Sequence, residues 1–147
     1  MAETLEGNVK ISTIENYEKR VLEARKNIAD SHYSNIIHLI EEDASKVLKE
    51  LVEKEEKYDF IFMDAAKGQY INWLEPVIKL LNKEGVLCSD NVLQGGDIVQ
   101  SRYIIERRDR SIHSRLREYL YELTHREELS TTILSLGDGV ALTVLKK

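Results

Sequence analysis

Segments with the pattern of a β-strand alternate along this chain with segments that have the spacing of an amphipathic helix. Four short apolar runs predict strands at residues 9–14, 35–40, 58–63 and 86–89. The run 58–63 is almost continuously apolar, which is typical of a strand covered on both faces. Helical spacing of apolar residues returns after each run. The alternation predicts an α/β architecture.

The predicted helices each have one apolar face. Asn16 is a candidate N-cap for the first of them. The expected inward-facing residues recur at helical spacing in four sets, which are Tyr17, Val21, Ala24 and Ile28; Val47, Leu48, Leu51 and Val52; Trp73, Leu74, Val77, Ile78 and Leu81; and Ile112, Leu116, Leu120 and Leu123.

The end of the chain has a different pattern. Residues 131–136 and 140–144 flank the glycine-containing turn 137–139, and this predicts an antiparallel hairpin. The 147 residues contain no linker, repeat or low-complexity segment, so we expect a single domain over residues 1–147.

Composition limits the setting in which the protein works. No stretch approaches the roughly 20 apolar residues of a membrane span, so we expect no membrane association. Residues 1–8 lack the pattern of a secretory signal. Cys88 is the only cysteine and lies in an apolar run, which favours a buried thiol in a reducing compartment. We therefore predict a cytoplasmic protein.

Acidic residues follow three of the predicted strands. Glu15, Asp64 and Asp90 stand at these ends, and Asn91 follows the last. Ligands bind at the carboxyl ends of strands in open α/β sheets, so these groups could face one crevice. Two aspartates and an amide suit Mg²⁺, and a glutamate suits ribose hydroxyls. The alternative at each position is a cap for the following helix or turn.

Zinc is not expected at such a site. The four histidines have no ligand spacing with one another or with Cys88, and we expect them on the surface or on helix faces. They are His32, His38, His113 and His125.

Two motifs, in this order, carry a family resemblance. The run Phe62-Met63-Asp64-Ala65-Ala66-Lys67-Gly68-Gln69-Tyr70 and the later Ser89-Asp90-Asn91-Val92-Leu93 resemble the catechol-type O-methyltransferase family. The chain looks most similar to the bacterial branch that methylates 5-hydroxyuridine at the tRNA wobble position. The likeness runs from about residue 9 to the C-terminus, and includes residues 13–15 and 137–141.

The resemblance implies a set of site residues. Asp64, Asp90 and Asn91 would bind a divalent cation such as Mg²⁺. Residues of the S-adenosylmethionine site would be Glu15 at the ribose, Asp43 and Ala44 beside the adenine, and Asp64.

Lys67 would lie next to the reacting hydroxyl and act as the catalytic residue. A lysine there can take the hydroxyl proton or stabilise the oxyanion. The alternatives are a solvated turn residue for Lys67 and a helix cap for Asp43.

The resemblance also implies a missing segment. The family places a strand and a glycine-rich loop before the equivalent of residue 9. The early glycine, Gly7, is not part of a Gly-x-Gly pair, and no such pair lies between an early strand and a helix. Gly137-x-Gly139 belongs to the predicted hairpin. We expect a Rossmann-like methyltransferase sheet truncated at its N-terminus, with residues 1–5 ending a helix.

Loss of that strand has two expected consequences. The missing strand would lie between the first and third strands predicted here, so two strand edges would lose their partner. We expect the chain to close the gap by direct strand pairing, as a homodimer or as a swapped oligomer. We also expect low cofactor affinity without the glycine loop.

Arginines concentrate in one segment. Seven of the nine fall within residues 101–126, among the aromatic residues Tyr103, Tyr119 and Tyr121, a combination that suits RNA. The resemblance implies a tRNA anticodon loop near four of them, Arg107, Arg108, Arg110 and Arg115. The alternative is a solvated helix face with ion pairs.

Three functions remain open at this point. The first is a metal-assisted, S-adenosylmethionine-dependent O-methyltransferase of the tRNA wobble 5-hydroxyuridine. The second is an O-methyltransferase of a small catechol-like hydroxyl compound, for which the departure Gln94-Gly95-Gly96 leaves room. The third is a non-catalytic remnant that binds RNA or a partner subunit.

Overall fold

A computed structural model describes residues 1–6 and 8–146, so Gly7 lies outside the described residues. The chain divides into two compact units, Met1–Leu51 and Val52–Lys147. The single domain predicted over residues 1–147 stays a prediction.

The first unit contains two βα pairs. Its elements are β1 (Ile11–Ile14), α1 (Glu18–Ala29), β2 (Ile37–Ile40) and the start of α2 (Ala44–Glu53). The two strands are parallel and in register from Ile11 opposite Ile37 to Ile14 opposite Ile40. Val21, Val47 and Leu48 are buried, as their helical spacing predicts.

Details of the first unit differ from expectation. Residues 2–6 form turns, with one helical hydrogen bond of 3.1 Å from the Leu5 N–H to the Met1 carbonyl. Asn16 is not the N-cap of α1, because Tyr17 occupies that position and makes no side-chain cap. Tyr17 is 59% exposed, so its predicted place on the inward face is wrong.

The second unit is built on a four-stranded mixed sheet. Its regular elements, in chain order, are β3 (Tyr58–Met63), α3 (Tyr70–Leu80), β4 (Leu81–Ser89), α4 (Arg110–His125), β5 (Leu129–Leu134) and β6 (Val140–Leu145). The strand order is β3-β4-β6-β5. β3 is parallel to β4, while β6 is antiparallel to both β4 and β5. The α/β, Rossmann-like arrangement with a C-terminal hairpin is confirmed.

Helices α3 and α4 pack together and supply much of the core of this unit. Leu74, Leu116 and Leu123 are fully buried. Tyr70 and Tyr119 are also fully buried and meet edge to face, with ring centroids 5.4 Å apart. This contact joins the start of α3 to the middle of α4.

Some predicted inward positions are corrected here. Leu81 does not belong to α3, because β4 begins at this residue without an intervening loop. Ile112 and Leu120 are only half-buried. His113 and Tyr119 lie on the buried face of α4 with Leu116 and Leu123. The Tyr119 hydroxyl bonds Ser89 Oγ, and His113 Nε2 lies 3.2 Å from the Asp97 carbonyl.

Strand β3 is less covered than its apolar sequence predicts. Within the described part of the chain, β4 is its one hydrogen-bonded neighbour, so β3 is an edge strand. Met63 is buried, whereas Phe60 and Phe62 are 43% and 51% exposed. Successive residues of a strand point to opposite faces, so this alternation means that one face of β3 is open.

None of the helices in the described ranges is long and apolar enough to span a membrane.

Candidate functional site

The carboxyl ends of β3 and β4 lie side by side. Met63 pairs with Ser89, and the Asp90 N–H donates to the Met63 carbonyl at 3.0 Å. Asp64 and Asp90 are the residues that follow these two paired positions. Neighbouring strands are about 4.8 Å apart. The two aspartates therefore share one edge of the sheet, as the sequence predicts.

Lys67 points at this edge. Its ammonium lies 3.0 Å from Asp64 Oδ1 and 3.1 Å from the Tyr70 hydroxyl. The side chain of Lys67 is 20% exposed, whereas that of Asp64 is 52% exposed. Burial alone would lower the pKa of Lys67, but its hydrogen bonds to Tyr70 and Asp64 outweigh burial and raise that pKa. Lys67 is therefore an ammonium fixed in place by Asp64 and Tyr70, not a freely solvated turn residue.

Tyr70 is a member of this cluster that the sequence-based interpretation left without a role. Its hydroxyl lies 2.9 Å from the Met63 carbonyl and accepts the Ala65 N–H at 3.2 Å. The signal for it was available, because Tyr70 ends the first family-like motif three residues after Lys67.

The Asp90–Asn91 segment is held by the C-terminal hairpin. Asp90 Oδ1 accepts the Asn91 N–H at 2.8 Å, and Asn91 has a φ of 53°, a left-handed conformation that asparagine tolerates. The next amides, of Val92 and Leu93, donate to the carbonyls of Gly139 and Asp138 at 2.9 and 2.8 Å. The turn 137–139 therefore supports the loop that presents Asp90 and Asn91.

The donor set at this edge fits a hard divalent cation. Residues 1–6 and 8–146 contain no cluster of three or more histidine, cysteine, aspartate or glutamate side chains arranged around a metal position. The proposed set is different, with two carboxylates and one amide oxygen, and such oxygen ligands suit Mg²⁺. The ammonium of Lys67 already places one positive charge against Asp64.

Glu15 follows β1 in the first unit. Its Oε1 accepts the N–H groups of Asn16 and Tyr17 at 3.0 and 2.9 Å, so it covers the amides that lead into α1. Its Oε2 is 3.8 Å from the Arg20 guanidinium, beyond hydrogen-bond distance. One oxygen thus orders the turn, and the other can accept a hydroxyl.

Asp43 and Ala44 stand at the start of α2. Asp43 Oδ1 accepts the N–H groups of Ser45 and Lys46 at 2.9 and 3.3 Å, which is the geometry of a helix cap. Ala44 is the first residue of the helix and is half-buried. The cap reading of Asp43 is confirmed, and the places of Glu15, Asp43 and Ala44 beside a cofactor stay predictions.

Two of the predicted RNA-binding arginines have structural partners. Arg110 donates to the carbonyls of Ile105 and Tyr103 at 3.0 and 3.1 Å. Arg115 donates to the Gly68 carbonyl at 3.0 Å, joining α4 to the turn that carries Lys67. These guanidinium groups help to hold the fold of the second unit.

The other two arginines lie in the loop before α4. Arg107 and Arg108 are exposed, and Arg108 is 3.0 Å from Glu106. Tyr103, in the same loop, is 83% exposed, whereas Tyr119 is fully buried. Tyr119 is therefore not available to stack on a base, because its ring fills the core beside Tyr70.

The structure places two further single residues. His113 lies on a helix face, as expected, but on the buried face of α4 with 1% exposure, and its Nε2 lies 3.2 Å from the Asp97 carbonyl. Cys88 is half-buried rather than fully buried, and burial raises the pKa of its thiol.

The sequence matches one protein family over its whole length. The family model described as O-methyltransferase matches residues 1–147. The chain belongs to the O-methyltransferase family.

Curated members of the family are similar over much of the chain. A flavonoid 3',5'-methyltransferase of Vitis vinifera is 36% identical over 113 residues, 72% of this chain and 47% of that protein. A caffeoyl-CoA O-methyltransferase of Citrus natsudaidai is 32% identical over 116 residues, 73% of this chain and 48% of that protein. The chain spans about half the length of such relatives.

Solved structures show the same fold. A Staphylococcus aureus protein described as a candidate caffeoyl-CoA O-methyltransferase is 28% identical, with a TM-score of 0.86 over 98% of this chain and 68% of its own. An O-methyltransferase from Bacillus cereus, solved in complex with SAH, is 25% identical, with a TM-score of 0.81 over 93% of this chain and 63% of its own.

Proposed function

We propose that the protein transfers a methyl group from S-adenosylmethionine to a substrate hydroxyl, assisted by a divalent cation. The observation that carries this proposal is the pairing of Lys67 with Asp64 at the end of β3, next to the end of β4 that bears Asp90 and Asn91. Membership of the O-methyltransferase family supports the reaction class.

The reaction asks for little chemistry from side chains. A bond forms between the substrate oxygen and the methyl carbon while the bond from that carbon to sulfur breaks, and the hydroxyl proton passes to water. Positioning of the two reactants in line supplies much of the rate. The Lys67 ammonium, held by Asp64 and Tyr70, would stabilise negative charge on the attacking oxygen.

Three residues would hold the cation, namely Asp64, Asp90 and Asn91. A divalent cation bound there would lower the pKa of a coordinated substrate hydroxyl. Each of the three supplies a hard oxygen of the kind that Mg²⁺ binds.

In the first unit, Glu15 would hold the ribose of the cofactor, and Asp43 and Ala44 would lie near its adenine. The Oε2 of Glu15 supports this part of the proposal, because it lies 3.8 Å from the Arg20 guanidinium, too far for a hydrogen bond, and a carboxylate oxygen accepts the hydrogen bond of a ribose hydroxyl.

Calorimetric titration with S-adenosylmethionine in the presence of Mg²⁺ tests the cofactor site. We expect weak binding by the wild-type chain and a further loss of roughly tenfold or more in Glu15→Gln, because the charge on the hydrogen-bond acceptor is removed. Glu18→Gln is the matched control, since Glu18 is an exposed acid one turn away on α1. Equal affinities in the two variants would remove Glu15 from the site.

For the substrate we propose the tRNA wobble 5-hydroxyuridine. Exposed Arg107 and Arg108 lie in one loop with the exposed ring of Tyr103, and arginines beside a stacking platform suit a single-stranded RNA loop. Arg110 and Arg115 would contribute charge while keeping their backbone contacts.

Salt dependence of tRNA binding tests this loop. Replacing Arg107 or Arg108 by Gln should weaken binding and reduce the slope of log K against log salt by about 1 each, if each contacts a phosphate. Lys26→Gln removes an exposed charge in the first unit and serves as the control. Identical slopes in all variants would argue against an anticodon-loop surface here.

A small catechol-like hydroxyl compound is the second candidate substrate. It is favoured by the similarity to a flavonoid 3',5'-methyltransferase and a caffeoyl-CoA O-methyltransferase. Parallel assays with hypomodified tRNA and with a catechol would rank the two. A chain that binds tRNA but not S-adenosylmethionine would instead be the non-catalytic module.

We also propose that copies of the chain associate through β3. It is an edge strand, and its side chains Phe60 and Phe62 are about half exposed. Exposed strand edges of this kind pair with other chains. Light scattering should find dimers or larger species in the wild type and a shift to monomers in the double variant Phe60→Ser/Phe62→Ser. A monomeric wild type would refute this.

A further inference from the structure

We propose that the Tyr70 hydroxyl is a positioning group that fixes the spacing of the two strand ends bearing Asp64 and Asp90. This inference rests on the proposed metal site, and it assigns a task to a residue outside the ligand set. Its basis is a fully buried side chain with its one polar atom at the junction of β3, β4 and the Lys67 turn.

The hydroxyl of Tyr70 meets the backbone on both strands. Its one proton is shared between the Met63 carbonyl at 2.9 Å and the Asp90 carbonyl at 3.3 Å. It accepts the Ala65 N–H at 3.2 Å. The residues before and after Asp64 are thus tied to one atom, which also faces the backbone of Asp90.

The same atom also orients Lys67. The ammonium lies between the Tyr70 hydroxyl at 3.1 Å and Asp64 Oδ1 at 3.0 Å. A tyrosine hydroxyl has one proton to donate and two lone pairs that accept. The proton is shared by the Met63 and Asp90 carbonyls, and the two lone pairs accept from Ala65 and Lys67, so the place of the hydroxyl is well defined.

Tyr119 provides a stringent comparison within the same pair of rings. Both tyrosines are fully buried and pack edge to face. The Tyr119 hydroxyl is 2.6 Å from Ser89 Oγ, so it bonds a side chain rather than the backbone around the two aspartates. Replacing either tyrosine by phenylalanine removes one hydroxyl and keeps the ring in the core, so the two variants differ only in which hydroxyl is lost.

The experiment compares Tyr70→Phe and Tyr119→Phe by Mn²⁺ binding, measured by electron paramagnetic resonance. Groups that orient metal ligands typically change affinity by about 10- to 100-fold when removed. We expect Tyr70→Phe to lose affinity within this range and Tyr119→Phe to stay close to the wild type. Unchanged affinity in Tyr70→Phe, or equal losses in the two variants, would overturn the proposal.

Amide hydrogen exchange gives a readout without metal. In the wild type, the Ala65 N–H should be protected from exchange although Ala65 is exposed, because it donates to the Tyr70 hydroxyl. This amide should exchange roughly tenfold faster in Tyr70→Phe and at the wild-type rate in Tyr119→Phe. An unprotected Ala65 amide in the wild type would refute the role of Tyr70. Absence of Mn²⁺ binding by the wild type with protection intact would refute the metal site alone.

Discussion

Gly139→Ala is expected to destabilise the protein by clashing with the loop that follows Asp90 and Asn91. A Cβ at residue 139 would lie 2.3 Å from Leu93 Cγ and 2.7 Å from Leu93 Cβ. Leu93 cannot withdraw freely, because its N–H is bonded to the Asp138 carbonyl at 2.8 Å. The φ of Gly139 is also +86°, which side chains disfavour.

The size of the effect follows from two costs. A left-handed conformation costs a residue with a side chain about 1–2 kcal/mol, and overpacking typically adds about 1–3 kcal/mol. Gly139→Ala should therefore lose about 2–5 kcal/mol of unfolding free energy. Gly137→Ala is the matched control, because its φ is +54° and a Cβ there meets no described atom within 4 Å. It should lose only about 1–2 kcal/mol.

Urea unfolding of both variants measures the difference, and Mn²⁺ binding by Gly139→Ala shows whether the displaced Leu93 disturbs Asp90 and Asn91. Equal losses of stability in the two variants would show that Leu93 adapts at no cost. The inference that turn 137–139 supports the loop bearing Asp90 and Asn91 would then be wrong.

Three further predictions concern the core and its borders. Burial raises the pKa of Tyr119 in the folded state, and its hydrogen bond to Ser89 opposes this more weakly. The stability that the neutral hydroxyl contributes is therefore complete below about pH 10 and is lost as the pH rises further. Between about pH 9 and 11, Tyr119→Phe should lose less stability than the wild type, and parallel curves of stability against pH would contradict this. Arg126 forms ion pairs with Glu75, Glu122 and Glu128. Arg126→Gln should therefore lower the free energy of unfolding, measured in urea, by about 1 kcal/mol, and a loss that does not shrink in 1 M salt would exclude an ionic origin. Leu74 is fully buried in α3, so Leu74→Ala should cost about 2–5 kcal/mol in the same assay, and a loss below about 1 kcal/mol would mean that this core is loosely packed.

The elements that position the site follow from local pattern. The apolar run 58–63 ends at Asp64, and β3 has these same bounds. Parallel pairing then brings Asp64 and Asp90 to one edge without further information. Hydrophobic periodicity and strand ends are properties of short segments, which is why they could be predicted.

Contacts between distant residues could not be read in this way. The burial of Tyr119 depends on Ser89, thirty positions earlier, and that of His113 on the carbonyl of Asp97. The task of Tyr70 depends on where β4 ends relative to β3. The exposure of Phe60 and Phe62 depends on β3 being an edge strand, which an apolar sequence alone does not reveal.

Transfer of a labelled methyl group from S-adenosylmethionine, with Mg²⁺, to hypomodified tRNA or to a catechol tests the central claim most directly. We expect incorporation into one of the two by the wild type, and a loss of about 10²- to 10⁴-fold in Lys67→Met. Lys57→Met, which changes an exposed lysine at the other end of β3, should retain the wild-type rate. Incorporation that survives in Lys67→Met, or no incorporation into either acceptor by the wild type, would contradict the account.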